Sequence, residues 1–547
     1  MTTPQTASIY DVVICGAGLA GLTLARQLAR ELPHLSLLVI EGTKDKAYPT
    51  SLNVGESTIE ISTHYLADIL GLRSYLETTH LRKVGLRFFF ASDSQALNTR
   101  PEFGLSHPPA IASFQLDRAI FEADLKAQNT QMGIPLINKG VVKEVHLASE
   151  NELHEILFED ETSQIGYVRC RWVIDAMGRR RFLQRKLGLA MPQDKGYSAA
   201  WFRLPGRIDV EHLVPASIQT WHARVPEQQR YFSTNHLMGN GRWVWLIPLS
   251  SGRTSVGIVA QEELFPFQEY NTYQKALCWL QREEPELRAL IGSLQPLDFQ
   301  CLRHYTYSAK QVFSTQRWAC TGDAAVFADP FLSPGIDQLG FANTLITEMI
   351  SLESRQQLTV EKVEMFNRAF LGFNDTTSWL IHNGYPFLGN ATVMAAKLIW
   401  DFARGFSING PQRFNKIYLS EQKAQAIQPY LAKVFSFTAK MERLFKEWSL
   451  LSKKRPRFHF LDYFTVPGMQ DLYLRNLRSC QTPEELVTSH KASVEYLEEL
   501  AQLIFLVALA DTMPEIIPRL PDPLWLNTRG IGLDPSRWES ERLFSPP

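Results

Sequence analysis

One stretch near the start of the chain restricts the fold more than any other. Residues 10–32 read YDVVICGAGLAGLTLARQLAREL, which is an apolar run, a glycine turn and then a helical pattern. In this G-x-G-x-x-G spacing Gly16 suits a tight turn, Gly18 allows close approach of phosphate groups, and Gly21 allows a helix to pack on a strand. The stretch predicts a buried parallel strand that leads into a helix, the first unit of an α/β fold.

A carboxylate follows at the distance that a Rossmann-like fold requires. The run LSLLVIEG, residues 35–42, predicts a second buried strand that ends at Glu41, twenty residues after Gly21. A carboxylate at that place binds a ribose 2′-hydroxyl, and the helix N-terminus binds the pyrophosphate. The sequence therefore predicts a dinucleotide site. A glycine turn without a ligand is the alternative interpretation.

Two later strand ends indicate which dinucleotide binds. RWVIDAMGRR at 171–180 ends in Asp175 and Gly178, and RWACTGDAAVFADP at 317–330 contains the Gly322–Asp323 pair. Each alone is compatible with an ordinary turn. Together with the glycine motif they resemble the three-part fingerprint of FAD-dependent aromatic monooxygenases. The resemblance implies FAD, with Asp323 on its ribityl chain. A second G-x-G-x-x-G is absent, so we expect no separate NAD(P)H domain.

A basic residue opens a later helical pattern. FQLDRAIFEADLKAQ, residues 114–128, carries Arg118 near the start of the predicted helix. In the superfamily that the chain resembles, an arginine at this place lies beside the flavin. The alternative for Arg118 is an ordinary salt bridge on the helix surface, and the sequence does not decide between the two.

Composition excludes several classes of function. The 547 residues include 56 Lys and Arg against 57 Asp and Glu, so nothing favours a nucleic acid or an anionic membrane as partner. The six cysteines show neither CxxC nor zinc-ligand spacing, which predicts reduced thiols, no metal and a cytoplasmic location. We expect no secretion leader, because a strand pattern begins close to Met1, and a buried helix, not a membrane span, at 500–510.

The order of the patterns predicts an α/β protein with two regions. Residues 1–350 are expected to form the Rossmann-like FAD-binding module, with an interleaved β-rich substrate region at about 85–115 and 195–315. Residues 351–547 are mostly helical in pattern and are expected to cover the substrate site.

Two motifs narrow the resemblance within the superfamily. In GRWVWLIP, residues 241–248, a strand would place Trp243 and Trp245 on one face. This stretch resembles the WxWxIP motif of flavin-dependent halogenases. NVGESTIE, residues 53–60, is similar to their Gly-Glu-Ser strap, which implies that Gly55 and Ser57 lie along the flavin. The alternative for this stretch is a capping box of Ser57 and Glu60 at a helix start.

The halogenase resemblance implies a mechanism. In that family reduced FAD from a separate reductase reacts with oxygen, chloride or bromide is oxidised to hypohalous acid, and a lysine passes the halogen to an aromatic ring. In HLRKVGLRFFF, residues 80–90, Lys83 stands 28 residues after Gly55, where the family has its lysine. Trp243 and Trp245 would form the tunnel wall. A solvated lysine before a strand is the alternative.

The halide loop departs from the family pattern. DPFLSPGID, residues 329–337, has Leu332 where halogenases of free tryptophan carry a glutamate, as in halogenases of phenols and pyrroles. Halide would be bound at Ser333, Pro334 and Gly335, while Gly335 and Ile336 would contact FAD. Pro334 has no N–H, so one expected halide donor is missing. Aromatic hydroxylases of the superfamily carry a Pro-x-Gly stretch near this place.

Three functions remain open from the sequence. The first is a halogenase of an electron-rich, phenol- or pyrrole-like ring, free or tethered to a carrier protein. The second is a halogenase-like flavin monooxygenase or oxidase that transfers no halogen, which Pro334 favours. The third is a flavin-binding accessory protein without turnover.

Overall fold

The computed structural model describes residues 8–42, 53–91, 96–149, 152–192, 196–452 and 458–545. The strands in these ranges are β1 Ile9–Cys15, β2 Leu37–Ile40, β3 Leu81–Arg82, β4 Leu86–Phe90, β5 Glu102–Gly104, β6 Phe114–Gln115, β7 Leu136–Ile137, β8 Val141–His146, β9 His154–Glu159, β10 Ile165–Asp175, β11 Ala190–Pro192, β12 Tyr197–Leu204, β13 Thr234–Gly239, β14 Arg242–Pro248, β15 Thr254–Gln261, β16 Asp298–Leu302, β17 Tyr307–Ala309, β18 Trp318–Cys320 and β19 Phe460–Asp462.

The α-helices lie between the strands in the first part of the chain and dominate after α9. They are α1 Leu19–Glu31, α2 Glu60–His64, α3 Arg73–Thr79, α4 Arg118–Gln131, α5 Phe182–Lys186, α6 Gln219–His222, α7 Tyr273–Glu283, α8 Pro285–Ile291, α9 Gly335–Ser354, α10 Val360–Gly384, α11 Ala391–Arg404, α12 Gly410–Phe414, α13 Glu421–Leu451, α14 Met469–Asn476 and α15 Pro483–Thr512. The predicted α/β class and the predicted helical C-terminal third are confirmed.

The first compact unit consists of residues 1–81, 114–195 and 304–378. Its main sheet has the strand order β7-β2-β1-β10-β9-β8, and β18 also pairs with β10. The strands β2, β1, β10 and β18 run parallel, whereas β9 is antiparallel to β10 and β8 to β9. Val12 to Cys15 are all buried, as expected of a parallel strand that is covered on both faces.

A buried amide joins the elements that will form the site in this unit. Asn343 of α9 donates hydrogen bonds to the Tyr65 hydroxyl at 2.9 Å and to Thr23 Oγ1 of α1 at 3.0 Å. Thr321, directly after β18, donates to Asn343 Oδ1 at 2.6 Å. Because a buried amide is costly to leave without partners, these bonds fix α1, α9 and the end of β18 relative to one another.

The second unit consists of residues 82–113, 196–303 and 379–547. Its sheet has the order β16-β12-β15-β14-β13-β4-β5-β19. The neighbours are antiparallel except for the parallel pairs β4 with β13 and β5 with β19. β14 is buried along its whole length. Val244 and Leu246 join a hydrophobic core with Trp221 and Trp279, so Trp243 and Trp245 lie on the other face, as the period of two predicts.

Several smaller predictions can be compared with the structure. The apolar run at 500–510 lies inside α15. None of the helices in the described part of the chain is long and apolar enough to cross a membrane. All six cysteines have free thiols, as predicted. Met1 and the six residues after it, on which the expectation of no leader partly depends, lie outside the described residues.

Candidate functional site

The glycine turn after β1 is tightly packed at two of its three glycines. Gly16 has φ +114°, and a Cβ there would lie 2.3 Å from the Ala176 carbonyl oxygen. A Cβ on Gly21 would lie 1.9 Å from the carbonyl oxygen of Gly16. Around Gly18, in contrast, no heavy atom lies within 4 Å of the Cβ position. The protein itself therefore requires Gly16 and Gly21, and the open space above Gly18 suits a ligand at the start of α1.

Glu41 closes the turn from the end of β2. Its Oε2 accepts a hydrogen bond from the Ala17 N–H at 2.9 Å, and the Gly16 N–H donates to the Ile40 carbonyl at 2.7 Å. The carboxylate thus stands beside the glycine turn, where the sequence places it. Its bond to a ribose stays a prediction.

Asp175, at the end of β10, has a structural role. Its buried carboxyl accepts hydrogen bonds from the N–H groups of Met177 at 3.0 Å and Leu183 at 2.8 Å. Burial raises the pKa of Asp175 to about 6. These bonds hold the loop that contains Gly178, whose φ of +59° favours glycine.

The Gly-Glu-Ser strap is held by the arginine that opens α4. Arg118 Nη1 donates to the Val54 carbonyl at 2.7 Å, and its guanidinium also pairs with Glu122. Gly55 has φ +99°, and a Cβ there would lie 2.8 Å from Arg118 Nη1. The salt-bridge interpretation of Arg118 is therefore correct as far as Glu122, but the same side chain also positions the strap.

The predicted capping box of Ser57 and Glu60 is wrong. α2 begins at Glu60 with Ile59 as its N-cap residue, and the Ile59 N–H donates to Ser62 Oγ at 2.8 Å. Ser57 is instead in an extended bridge with Gln115. Because the strap pairs with β6, the chain is still extended at Ser57 and turns into the helix three residues later.

Asp323 follows β18 and lies near the start of α1. The preceding Gly322 has φ +58°, and its Cβ position is 2.6 Å from Ala20 Cβ. The Asp323 side chain is accessible to solvent, yet the surrounding protein atoms raise its pKa by desolvation, while Arg118 and Arg179 act in the opposite direction. An accessible carboxylate at this place suits a hydroxyl-rich ligand chain.

The loop before α9 has a strained backbone and offers few hydrogen-bond donors to a ligand. Leu332 and Ser333 have φ of +67° and +59°, an unusual conformation for two successive residues other than glycine. The Ser333 N–H donates to the Pro330 carbonyl at 2.9 Å, and Ser333 Oγ donates to Ser57 Oγ at 3.0 Å. Pro334 is the N-cap residue of α9, and the space around Gly335 is open. Ile336 follows it as a buried residue of α9.

Lys83, in the second unit, is buried. The residue is only 1% exposed, so the interpretation of Lys83 as a solvated lysine is wrong. The backbone N–H of Lys83 donates to the Ser113 carbonyl at 2.7 Å. Burial lowers the pKa of His236 to about 3, and the nearby charge of Lys83 acts in the same direction. His236 Nδ1 lies 3.0 Å from the Arg87 carbonyl oxygen, and its ring stacks on Phe88 with centroids 4.6 Å apart.

The two tryptophans of β14 lie side by side, with ring centroids 5.7 Å apart. Trp243 Nε1 donates to the Tyr385 hydroxyl and Trp245 Nε1 to Ser255 Oγ, both at 3.1 Å. Trp243 is also 5.4 Å from the ring of His236. The sequence analysis missed His236 and Tyr385. The alternation of β13 beside WxWxIP could have indicated His236, but no spacing in the sequence points to Tyr385.

The comparisons with known proteins agree with this geometry. The family described as FAD binding domain matches residues 9–336. Flavin-dependent halogenase chlA of Dictyostelium discoideum is 26% identical over 439 residues, 75% of this chain and 72% of the relative. The 1H-pyrrole-2-carbonyl-(peptidyl-carrier protein) chlorinase of Pseudomonas fluorescens is 26% identical over 351 residues, 60% of this chain and 72% of the relative. The solved structure of halogenase PltM in complex with phloroglucinol and FAD has a TM-score of 0.62 at 16% identity, covering 93% of this chain and 98% of that chain.

The fold and the glycine turn after β1 together define an FAD-binding flavoprotein. The open space at Gly18 and the accessible carboxylate of Asp323 fit a dinucleotide with a hydroxyl-rich chain. Within this class the chain belongs to the flavin-dependent halogenase family, whose members are oxidoreductase enzymes.

Proposed function

We propose that the enzyme uses reduced FAD, oxygen and chloride or bromide to halogenate an electron-rich aromatic ring, with Lys83 as the residue that passes on the halogen. The observation that carries the proposal is the burial of Lys83 in a region of aromatic side chains. A buried amine on a long stem can hydrogen-bond hypohalous acid or become halogenated, and water competes less with the acid there than at a solvated amine.

The residues of the first unit would hold the cofactor. The turn formed by Gly16, Gly18 and Gly21 would hold the pyrophosphate in the open space at Gly18, Glu41 would bind the ribose and Asp323 the ribityl chain. The strap at Gly55 and Ser57, fixed by Arg118, and the start of α9 at Gly335 and Ile336 would border the flavin. Bound FAD, once reduced by a separate flavin reductase, would supply the chemistry by which oxygen oxidises the halide. Trp243 and Trp245 would wall the path to Lys83 and exclude water from it.

Two names among the comparisons support an aromatic substrate. One relative is a chlorinase of a carrier-bound pyrrole, and one solved halogenase binds phloroglucinol. Both rings are electron-rich. Leu332, where an activating glutamate is absent, is consistent with a ring of this kind, because such a ring reacts with electrophilic halogen without further activation.

A monooxygenase is the second candidate, and one observation favours it. Pro334 has no N–H, and the N–H of Ser333 is already bonded to Pro330. The backbone donors for a halide are therefore reduced to Gly335 and its successors, because the Ser333 hydroxyl also donates its proton elsewhere, to Ser57 Oγ. An enzyme that transfers oxygen needs no halide site.

The test is the mass of the product. The protein is incubated with FAD, a flavin reductase, NADH, oxygen, bromide and an electron-rich phenol, with Lys83→Gln as the matched variant. We expect a brominated product from the wild type and about a hundredfold less, or below, from the variant, although the variant still oxidises reduced flavin. A hydroxylated product at every bromide concentration, or rapid reduction of bound flavin by NADPH without the reductase, would support the second candidate instead.

A further inference from the structure

A row of readily oxidised side chains leads from the two tryptophans of β14 to solvent. We call it the oxidisable row; its members, in order of contact, are Trp245, Trp243, Tyr385, Tyr197 and His382. The indole nitrogen of Trp243 is 3.1 Å from the Tyr385 hydroxyl oxygen. The rings of Tyr385 and Tyr197 stack with centroids 3.8 Å apart and planes 14° apart. Electrons pass rapidly between aromatic groups at such short separations.

The register of the sheet explains why Tyr197 lies on the same face as the tryptophans. Side chains of residues that pair directly across two strands share a face. Val259 of β15 pairs with Trp243 of β14 and with Ala199 of β12. Tyr197 is two residues before Ala199, so the period of two puts it on that face as well. The sheet therefore aligns the indoles and the phenol of Tyr197, and Tyr385 packs between them.

The oxidisable row ends at a base that solvent reaches. The hydroxyl oxygen of Tyr197, the first residue of β12, is 2.6 Å from Nδ1 of His382 in the last turn of α10. A phenol donates its proton to the nitrogen of a neutral imidazole. The tryptophans and tyrosines of the row are buried, whereas His382 is half-buried. Loss of an electron makes a phenol strongly acidic, so a base in contact with its hydroxyl makes Tyr197 easier to oxidise.

Packing alone does not require the hydroxyl of Tyr197. A phenylalanine would fill nearly the same space, and a buried hydroxyl costs free energy unless it is hydrogen-bonded. The protein instead pairs this buried hydroxyl with a partly exposed imidazole. The reaction of oxygen with a reduced flavin produces oxygen-centred radicals as by-products, and indoles are among the side chains that such radicals oxidise most readily.

We propose that the oxidisable row carries oxidising equivalents away from Trp243 and Trp245 and so protects the enzyme from radical damage. This activity goes beyond the transfer of halogen. It rests on the part of the proposed function in which the two tryptophans wall the path of the oxidant, and on the contacts that join them to His382.

The step transfers one electron and one proton. An oxygen-centred radical accepts one electron from Trp243 and becomes its anion. Tyr197 replaces that electron through the stacked ring of Tyr385, while the Tyr197 hydroxyl proton moves to His382 Nδ1. Tyr197 is then a neutral tyrosyl radical and His382 an imidazolium. A thiol or ascorbate in the solvent returns one electron to Tyr197, and the proton returns from His382, so the row regains its initial state.

The test follows the radical and the damage in the holoenzyme. The protein receives a flavin reductase, NADH and oxygen without an aromatic substrate. Samples are frozen for electron paramagnetic resonance, and digested protein is examined by peptide mass. The variants are Tyr197→Phe and His382→Leu. The control is Tyr231→Phe, because Tyr231 is also a buried tyrosine of the second unit but packs against Phe232 and Arg207.

We expect a tyrosyl radical in the wild type and a several-fold smaller signal in both row variants. Addition of oxygen to the peptide that contains Trp243 and Trp245 should increase several-fold in these variants, and the control should match the wild type. Absence of the radical from the wild type, equal tryptophan oxidation in all four proteins, or the same change in the control would overturn the inference.

The wild type alone provides a second test, which does not depend on the folding of any variant. Ascorbate added during turnover should shorten the lifetime of the tyrosyl radical, because the oxidisable row ends at solvent; an unchanged lifetime would overturn the inference. None of these measurements requires a halogenated product. If the radical and the tryptophan oxidation follow the prediction but no halogenated phenol forms, the oxidisable row stands and the proposed halogenation fails.

Discussion

Replacement of Gly18 by valine tests the cofactor site most directly, because the structure separates the effect on the fold from the effect on the ligand. No heavy atom lies within 4 Å of the Gly18 Cβ position, and φ −78° with ψ −176° is extended backbone that valine adopts readily. The loss of a good N-cap residue costs about 1 kcal/mol. We therefore expect Gly18→Val to fold with an unfolding midpoint within a few degrees of the wild type.

The expected loss of FAD affinity is much larger. The added methyl groups would occupy the space above the first turn of α1, where pyrophosphate oxygens would accept hydrogen bonds from backbone N–H groups. At least two charge-assisted bonds of about 1.5–3 kcal/mol each would be lost. The dissociation constant of FAD should rise by about two to four decades. A titration of apoprotein with FAD, followed by flavin fluorescence, measures it.

Two matched variants make the experiment decisive. Gly21→Val places its Cβ 1.9 Å from the Gly16 carbonyl oxygen, so it should fail to fold normally. Gly372→Val in α10 also has open space around it and lies in the same unit, so it should fold and bind FAD unchanged. A folded Gly18→Val protein that binds FAD as tightly as the wild type would refute the placement of the pyrophosphate.

Three further predictions concern the lysine, the halide loop and the pH dependence of stability. Lys83→Gln should lower product formation by about a hundredfold or more, while FAD affinity and flavin oxidation persist. Product mass and oxygen uptake measure the two effects, and a loss of flavin oxidation would indicate that Lys83 lies at the cofactor. Pro334→Thr should restore an N–H donor and lower the half-saturating halide concentration about tenfold or more in steady-state assays, with bromide better than chloride. An unchanged half-saturating concentration would show that the halide does not bind at this loop. Burial lowers the pKa of His80 and of His154 to about 4 and that of His236 to about 3. It raises the pKa of Asp175 to about 6. Each histidine contributes stability at a pH above its unfolded pKa of about 6.5. This contribution is lost at about 1.4 kcal/mol per pH unit as the pH falls toward the folded pKa. Asp175 has the opposite effect, because the folded state gains stability when the pH falls from about 6 to 4. Three groups outweigh one, so the unfolding midpoint should fall on acidification from about pH 6.5 to 4, and a flat profile would contradict the assigned burial.

The parts of the fold that follow from local physics were predictable. The β1 turn, α1 and the end of β2 are encoded by an apolar run, fixed glycine spacing and one carboxylate, and the structure places all of them as expected. The alternation in β14 likewise predicted a shared face for Trp243 and Trp245. The capping box was wrong because Ser57 pairs with β6, and a strand partner that lies far along the sequence overrides a local helix signal.

The surroundings of the candidate site were less predictable for the same reason. The backbone of Lys83 is held by the Ser113 carbonyl, thirty residues along the chain, and Tyr385 meets Trp243 from 142 residues away. Phe103 of β5 contacts Phe402 and Tyr463 of the C-terminal region, and these residues share no spacing pattern with it. A single sequence contains no signal for contacts of this range. The spacing from the strap selects Lys83 as a candidate, and its catalytic role stays a prediction.

The pairing of β5 with β19 has a consequence for how the chain acquires its structure during synthesis. The edge of β5 has no partner strand until Phe460–Asp462 leaves the ribosome, after most of the protein has been made. An uncovered strand edge pairs readily with other chains, and contacts of long sequence separation form slowly. We therefore expect nascent chains that end before β19 to aggregate and to require chaperones, whereas the full-length protein protects this edge by its own C-terminal region.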